Sequence, residues 1–177
     1  MTQPLLLQPD KTIVLVGLMG CGKTAIGRRL AKKLGLPFVD LDQAIEEAAG
    51  MSVTDIFAKQ GEQYFRQLEL EAAKRLMNGK QSVLATGGGA FINDEIRALV
   101  KDRGISVWIN ADLETLLERV SKKNTRPLLE KGNKEEILKE LIDKRYPIYS
   151  QADITVPTSH GMHEVVLRRI MEEIARI

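Results

Sequence analysis

Residues Gly17 to Thr24 read Gly-Leu-Met-Gly-Cys-Gly-Lys-Thr, a full match to the phosphate-binding pattern G-x-x-x-x-G-K-[ST]. Few short patterns restrict a fold so tightly. The loop works only between a buried strand and a helix, where curled backbone N–H groups and the helix dipole converge on an anion. Both flanks comply. Thr12-Ile-Val-Leu-Val16 is a short β-branched, apolar run suited to a buried parallel strand. Ala25, Ile26, Leu30, Ala31 and Leu34 then recur at helical spacing. In such a loop Lys23 brings a positive charge to the β and γ phosphates, and the Thr24 hydroxyl is placed to ligate Mg²⁺.

The chain has 177 residues, enough for one compact domain and too few for two, so residues 1–177 are expected to form a single unit. Lys and Arg number 26 against 24 Asp and Glu, and only 5% of residues are aromatic. That balance gives no argument for a nucleic acid or an anionic membrane as partner. The lone cysteine, Cys21, has no second cysteine to pair with, so a reducing, cytoplasmic setting is expected. Residues Met1 to Asp10 have no basic region and only a very short apolar stretch, unlike a secretory signal. No segment is long and apolar enough to span a membrane.

Four more strands are expected at Pro37–Asp40, Gln81–Ala85, Ile105–Ile109 and Asp153–Val156. Helical patterns cover Gln43–Ala49, Val53–Lys59, Glu62–Met77, Asp94–Lys101, Leu113–Val120, Lys134–Tyr146 and Met162–Ile177. Strands alternating with helices imply an α/β fold whose parallel sheet is covered on both faces. Ligands then sit beyond the carboxyl ends of the strands. Gly17–Thr24, Asp40–Asp42 and Thr86–Gly89 all follow strands, so the three regions should converge on one crevice. Residues Ser121–Asn133, polar and punctuated by Pro127 and Gly132, read as an exposed loop.

Several residues in these regions have two readings. One carboxylate of Asp40 and Asp42 could orient Mg²⁺-bound water and the other accept a proton from a substrate hydroxyl. Equally, Asp42 could cap the helix that follows it. Arg66 and Glu69 stand three apart on a helix, as in a surface ion pair. Arg145, before Pro147, either complements a helix dipole or offers a planar fork to a carboxylate. Three glycines, Gly87 to Gly89, exceed what a turn needs and suggest a ligand packed against bare backbone. Arg126 is either a solvated loop residue or a group that closes on phosphates. His160 and His163 have no metal-ligand spacing around them and read as surface residues. Cys21, near Lys23 and a helix start, is expected to be shielded from alkylation by bound ATP.

In order, these motifs resemble shikimate kinase. The elements are Gly-Leu-Met-Gly-x-Gly-Lys-Thr, Phe-x-Asp-x-Asp at Phe38–Asp42, Ile-Phe-x-x-x-Gly-Glu-x-x-Phe-Arg at Ile56–Arg66, and Thr-Gly-Gly-Gly at Thr86–Gly89. Arg-Pro-Leu-Leu at Arg126–Leu129 and Arg-x-Pro-x-Tyr at Arg145–Tyr149 complete the set. The phosphate loop alone indicates only an NTPase, and a gluconate kinase of the same fold is the nearest rival. The ordered set, with Arg66, Arg145 and the triple glycine, favours shikimate.

The resemblance implies a P-loop NTPase fold like that of the nucleoside monophosphate kinases. That is a three-layer sandwich around a five-stranded parallel sheet, with a substrate-binding region near 40–70 and a lid near 121–133. It implies a monomeric enzyme with ATP and shikimate as partners, one Mg²⁺, and transfer of the γ-phosphoryl group to the 3-hydroxyl of shikimate. Lys23, Asp42 and Arg126 would be catalytic, with Asp42 the candidate base. Gly20, Cys21, Gly22, Lys23, Thr24, Ala25, Arg119, Arg126 and Pro157 would line the ATP site. Asp42, Arg66, Gly87, Gly88, Gly89 and Arg145 would bind shikimate, the two arginines on its carboxylate. Thr24 would ligate the metal, with Asp40 behind it through water. Two positions depart from the family's usual pattern: Cys21 stands where Ala or Ser is common, and Ala25 where Ser or Thr is.

Overall fold

The computed structural model of the chain describes residues 10–122, 133–159 and 161–177. Five strands form one sheet: β1 (Thr12–Val16), β2 (Phe38–Asp40), β3 (Val83–Ala85), β4 (Gly104–Ala111) and β5 (Ile154–Thr158). Their order is β2-β3-β1-β4-β5, and every pairing is parallel. All five residues of β1 are buried. This fits a central strand with helices above and below, where an unbroken apolar run replaces alternation. Its register, Ile13 on Val83 and on Ile105, stacks β-branched side chains across the middle of the sheet.

Eight helices connect and cover the described strands: α1 (Lys23–Leu34), α2 (Leu41–Ala49), α3 (Val53–Gln60), α4 (Glu62–Leu76), α5 (Asp94–Arg103), α6 (Leu113–Ser121), α7 (Lys134–Tyr149) and α8 (His163–Ala175). Helices α1 and α8 pack together against β3 and β5, while α5 packs on β4 and on α4. The three-layer α/β architecture read from the sequence is the one observed.

The boundaries differ in instructive places. Helix α2 begins at Leu41 rather than Gln43, because the Asp40 carboxylate accepts a hydrogen bond from the Gln43 N–H at 3.1 Å. Asp40 is therefore the cap, and Asp42 lies in the helix's first turn. Strand β5 runs past Val156 through Pro157 to Thr158. Proline is tolerated there because, among the described residues, β5 is an edge strand with β4 on one side only. Helix α7 continues through Pro147 to Tyr149 instead of stopping at Tyr146. So close to the end, proline removes only one helical hydrogen bond. The Ser150 N–H then closes the turn on the Tyr146 carbonyl at 2.9 Å. A 3₁₀ turn over Ala90–Ile92, after the glycine run, has no counterpart in the sequence reading.

Candidate active site

The phosphate loop joins β1 to α1, and its geometry depends on its glycines. Gly22 caps α1 with φ 100°, a left-handed conformation that side chains resist. A β-carbon on Gly17 would meet Cys21 Sγ and the Ile109 carbonyl, each at 2.8 Å. The Lys23 ammonium is buried in the hollow of the loop. It donates to the carbonyls of Gly17 at 2.6 Å and Leu18 at 3.0 Å and lies 3.7 Å from Cys21 Sγ. Cys21 is itself only 1% exposed, and its N–H closes the loop on the Leu18 carbonyl. Its thiol points away from solvent, so the premise of a labelling difference between free and nucleotide-bound protein is absent.

Thr24 and Ala25 are exposed in the first turn of α1. Thr24 Oγ1 donates to Asp40 Oδ2 at 3.1 Å, joining the start of α1 to the end of β2. A hydroxyl beside a carboxylate is a hard oxygen donor pair that suits Mg²⁺. No cluster of three or more His, Cys, Asp or Glu able to hold a metal exists among the described residues. A metal here would therefore draw its remaining ligands from nucleotide phosphates and water, as Mg²⁺ in kinase sites does.

Arg119, in the last turns of α6, reaches the loop and donates to the Gly20 carbonyl at 3.2 Å. Pro157 lies on β5. It is exposed and lines a cleft of about 600 Å³ with Asn110, Asp112, Lys139 and Tyr146. His163, at the start of α8, does feel Arg119: burial first, then the charges of Arg29 and Arg119, hold its pKa down. Arg126 and His160 lie outside the described residues.

The second half of the site is a pocket where Asp42, Arg66, Glu69, Arg145 and the run Gly87–Gly89 meet. Met19, Val53, Phe57 and Phe65 supply its apolar wall. The Phe57 and Phe65 rings lie 4.9 Å apart, and the Arg66 guanidinium sits 5.2 Å over Phe65. The three glycines now have a specific reason. A β-carbon on Gly87 would stand 2.8 Å from Asp42 Oδ1. One on Gly88 would stand 3.2 Å from Arg145 Nη1, and one on Gly89 2.5 Å from Arg66 Nη1. Each glycine admits one charged side chain against bare backbone, so the run gathers an acid and two guanidinium forks.

Glu69 is the residue whose importance the sequence reading missed. The expected pair with Arg66 is present at 2.9 Å, but Glu69 is 0% exposed, so this is no surface pair. Burial pushes the Glu69 carboxyl up, against the pull of Arg66. Burial of Arg66 is in turn outweighed by Glu69 and Glu62, which leave its pKa raised. The desolvation of Glu69 governs the pair, because Glu69 is wholly buried whereas Arg66 retains solvent contact and a second acid at 3.3 Å. A signal existed in the sequence: Phe65, Glu69, Ala72 and Ala73 share the buried stripe of α4.

Residues 19–175 match the family model described as shikimate kinase. A shikimate kinase of Paramagnetospirillum magneticum is 51% identical over 162 residues, covering 92% of this chain and 83% of the relative. The solved shikimate kinase of Acinetobacter baumannii, in complex with shikimate, superposes with a TM-score of 0.89 at 38% identity, covering 94% of this chain and 93% of that one. A gluconokinase from Sinorhizobium meliloti is also similar, with a TM-score of 0.59 at 18% identity over 95% of this chain and 93% of that one, which is a likeness of fold alone. On the family match and these identities, the chain belongs to the shikimate kinase family.

Proposed function

We infer that this chain transfers the γ-phosphoryl group of ATP to the 3-hydroxyl of shikimate, giving shikimate 3-phosphate and ADP in chorismate and aromatic amino acid biosynthesis. The charge pattern around the glycine run carries the reading. Arg145 Nη1 is buried beside Gly88 with no hydrogen-bond partner among the described residues. An unmet buried donor costs about 1–3 kcal/mol, more when charged, and a carboxylate ligand would meet it. Asp42, on the other side of the run, suits the hydroxyls of the same small molecule. An ADP-release assay tests this: shikimate should support turnover and gluconate should not, and the reverse preference would overturn it.

In this reading Arg66 and Arg145 fix the carboxylate, so the reacting hydroxyl is presented to the phosphate loop in one orientation. Asp42 orients that hydroxyl and receives its proton. Lys23 and Arg126 stabilise charge on the transferring group, and Arg119 lies beside the adenine of ATP. One Mg²⁺ would be held by Thr24, with Asp40 behind it through water, and would neutralise phosphate charge. The chain acts as a single domain and a monomer in the cytoplasm. This fits its near-neutral charge and lone cysteine. Among the described residues, no helix is long and apolar enough to cross a membrane.

The two arginines should respond differently to truncation. Arg145→Ala removes a charge-assisted contact worth about 1.5–3 kcal/mol, so shikimate should bind roughly 10–150-fold more weakly. ATP affinity should stay within twofold by titration calorimetry. Arg66→Ala also strands the buried Glu69 carboxylate, which costs about 3–5 kcal/mol of stability. Its thermal midpoint should fall well below that of Arg145→Ala. Equal midpoints would show that Glu69 does not depend on Arg66.

A further inference from the structure

Tyr149 is the last residue of α7 and has 0% exposure. Its hydroxyl donates to the Gly88 carbonyl, sixty-one residues away in the chain. The other carbonyls of the run are met locally, Gly87 by the Ala90 N–H and Gly89 by the Ile92 N–H, both at 3.2 Å. Gly88 is thus the member of the run held by a side chain from a distant element. The same hydroxyl sits beside the Arg145 guanidinium, one helical turn earlier on α7. The Tyr149 ring is fixed in turn, with its centre 5.9 Å from Trp108 of β4 and 6.1 Å from Tyr146. One oxygen therefore links the middle glycine of the pocket to the arginine that approaches it, and an aromatic cluster on the central sheet fixes that oxygen.

We propose that Tyr149 is a positioning residue for substrate binding: its hydroxyl sets the spacing between the Gly88 backbone and the Arg145 fork. The proposal rests on the reading that Arg145 binds the substrate carboxylate. A planar fork binds a carboxylate through two bonds at once, so displacing it by a fraction of an ångström weakens both. Burial pushes the Tyr149 phenol far above its ordinary range, so the hydroxyl remains a donor at any working pH. The nucleotide side should respond far less, because the hydrogen bond of the Tyr149 hydroxyl goes to Gly88 and not to an atom of the phosphate loop.

The test compares two variants that each lose one hydroxyl from the same cluster. Tyr149→Phe keeps the ring and loses the bond to Gly88. Tyr146→Phe keeps its ring and loses a bond of 2.5 Å to the Ala111 carbonyl, away from the glycine run. Tyr149→Phe should raise KM and Kd for shikimate about tenfold, with KM for ATP within twofold and kcat within about threefold. Tyr146→Phe should leave shikimate KM within twofold at a comparable loss of thermal stability. In the background of Arg145→Lys, Tyr149→Phe should have much less effect on shikimate, because the fork it positions is gone. Equal effects of the two phenylalanine variants, equal loss for both ligands, or full additivity with Arg145→Lys would each overturn the positioning role. A wild-type protein that binds ATP but not shikimate would overturn the underlying reading of Arg145, and the positioning role with it.

Discussion

Lys23→Ala is expected to lower turnover by roughly three orders of magnitude or more if, as proposed, the ammonium stabilises charge that develops on the transferring phosphoryl group. The free protein already shows where that charge is stored. Lys23 Nζ rests on the Gly17 and Leu18 carbonyls inside the loop. Truncation does two things at once. It removes the charge, and it takes the lysine donor from the Gly17 carbonyl at a cost of about 1–3 kcal/mol, while the Leu18 carbonyl keeps the Cys21 N–H. A companion variant, Lys23→Met, keeps much of the volume and separates these effects from packing. Both variants should unfold in one cooperative transition, and both should lose most of the stabilisation that saturating MgATP gives the wild type. A steady-state kcat near the wild-type value in either would sink the assignment of the loop.

Strand and helix identities were legible in the sequence because each depends on local periodicity. The unbroken apolar run of β1 and the stripe Ile26, Leu30, Ala31 of α1 needed no tertiary information. Boundaries were less legible where a single long-range fact decides them. Pro157 looked like the end of β5, and only its edge position permits the strand to pass through it. Site residues divide the same way. Lys23 and Thr24 are fixed by the loop pattern. Capping and catalysis competed for Asp42 until the structure gave the cap to Asp40. Glu69 was hidden because an i, i+3 pair looks the same on paper whether it faces water or the core. Its burial depends on the rotational phase of α4, not on its spacing from Arg66. Tyr149 was visible only as the end of the Arg-x-Pro-x-Tyr motif, and its role could not be read, since its partner is sixty-one residues away.

The triple glycine shows how a sequence oddity becomes mechanism. Its extra glycines read as room for a ligand, and the structure fills part of that room with Asp42, Arg145 and Arg66. Any β-carbon at Gly87 or Gly89 would push a charged group out of the pocket, so both the backbone and its charges are fixed before substrate arrives. Preorganisation of this kind avoids the ordering cost that a flexible pocket would incur on binding.

Asp42→Asn is expected to lower kcat by roughly 10²–10⁴-fold, the range for loss of a positioned general base. The change keeps the shape of the side chain and its fit against Gly87, where a β-carbon would stand only 2.8 Å from Oδ1. It removes the negative charge and the capacity to receive a proton. Shikimate affinity should therefore fall less than tenfold, because the amide oxygen still accepts from a hydroxyl and the two arginines are intact. Asp40→Asn serves as the contrast. Its carboxylate bonds the Thr24 hydroxyl and caps α2, so its loss should raise the Mg²⁺ concentration needed for half-maximal rate and lower thermal stability. The two variants thus separate by readout, Asp42 through kcat at saturating metal and Asp40 through metal dependence. If Asp42→Asn instead keeps kcat within about threefold and raises KM for shikimate, Asp42 only orients the hydroxyl. The proton would then leave by way of the phosphate oxygens or water, and catalysis would rest on positioning and on the charge of Lys23.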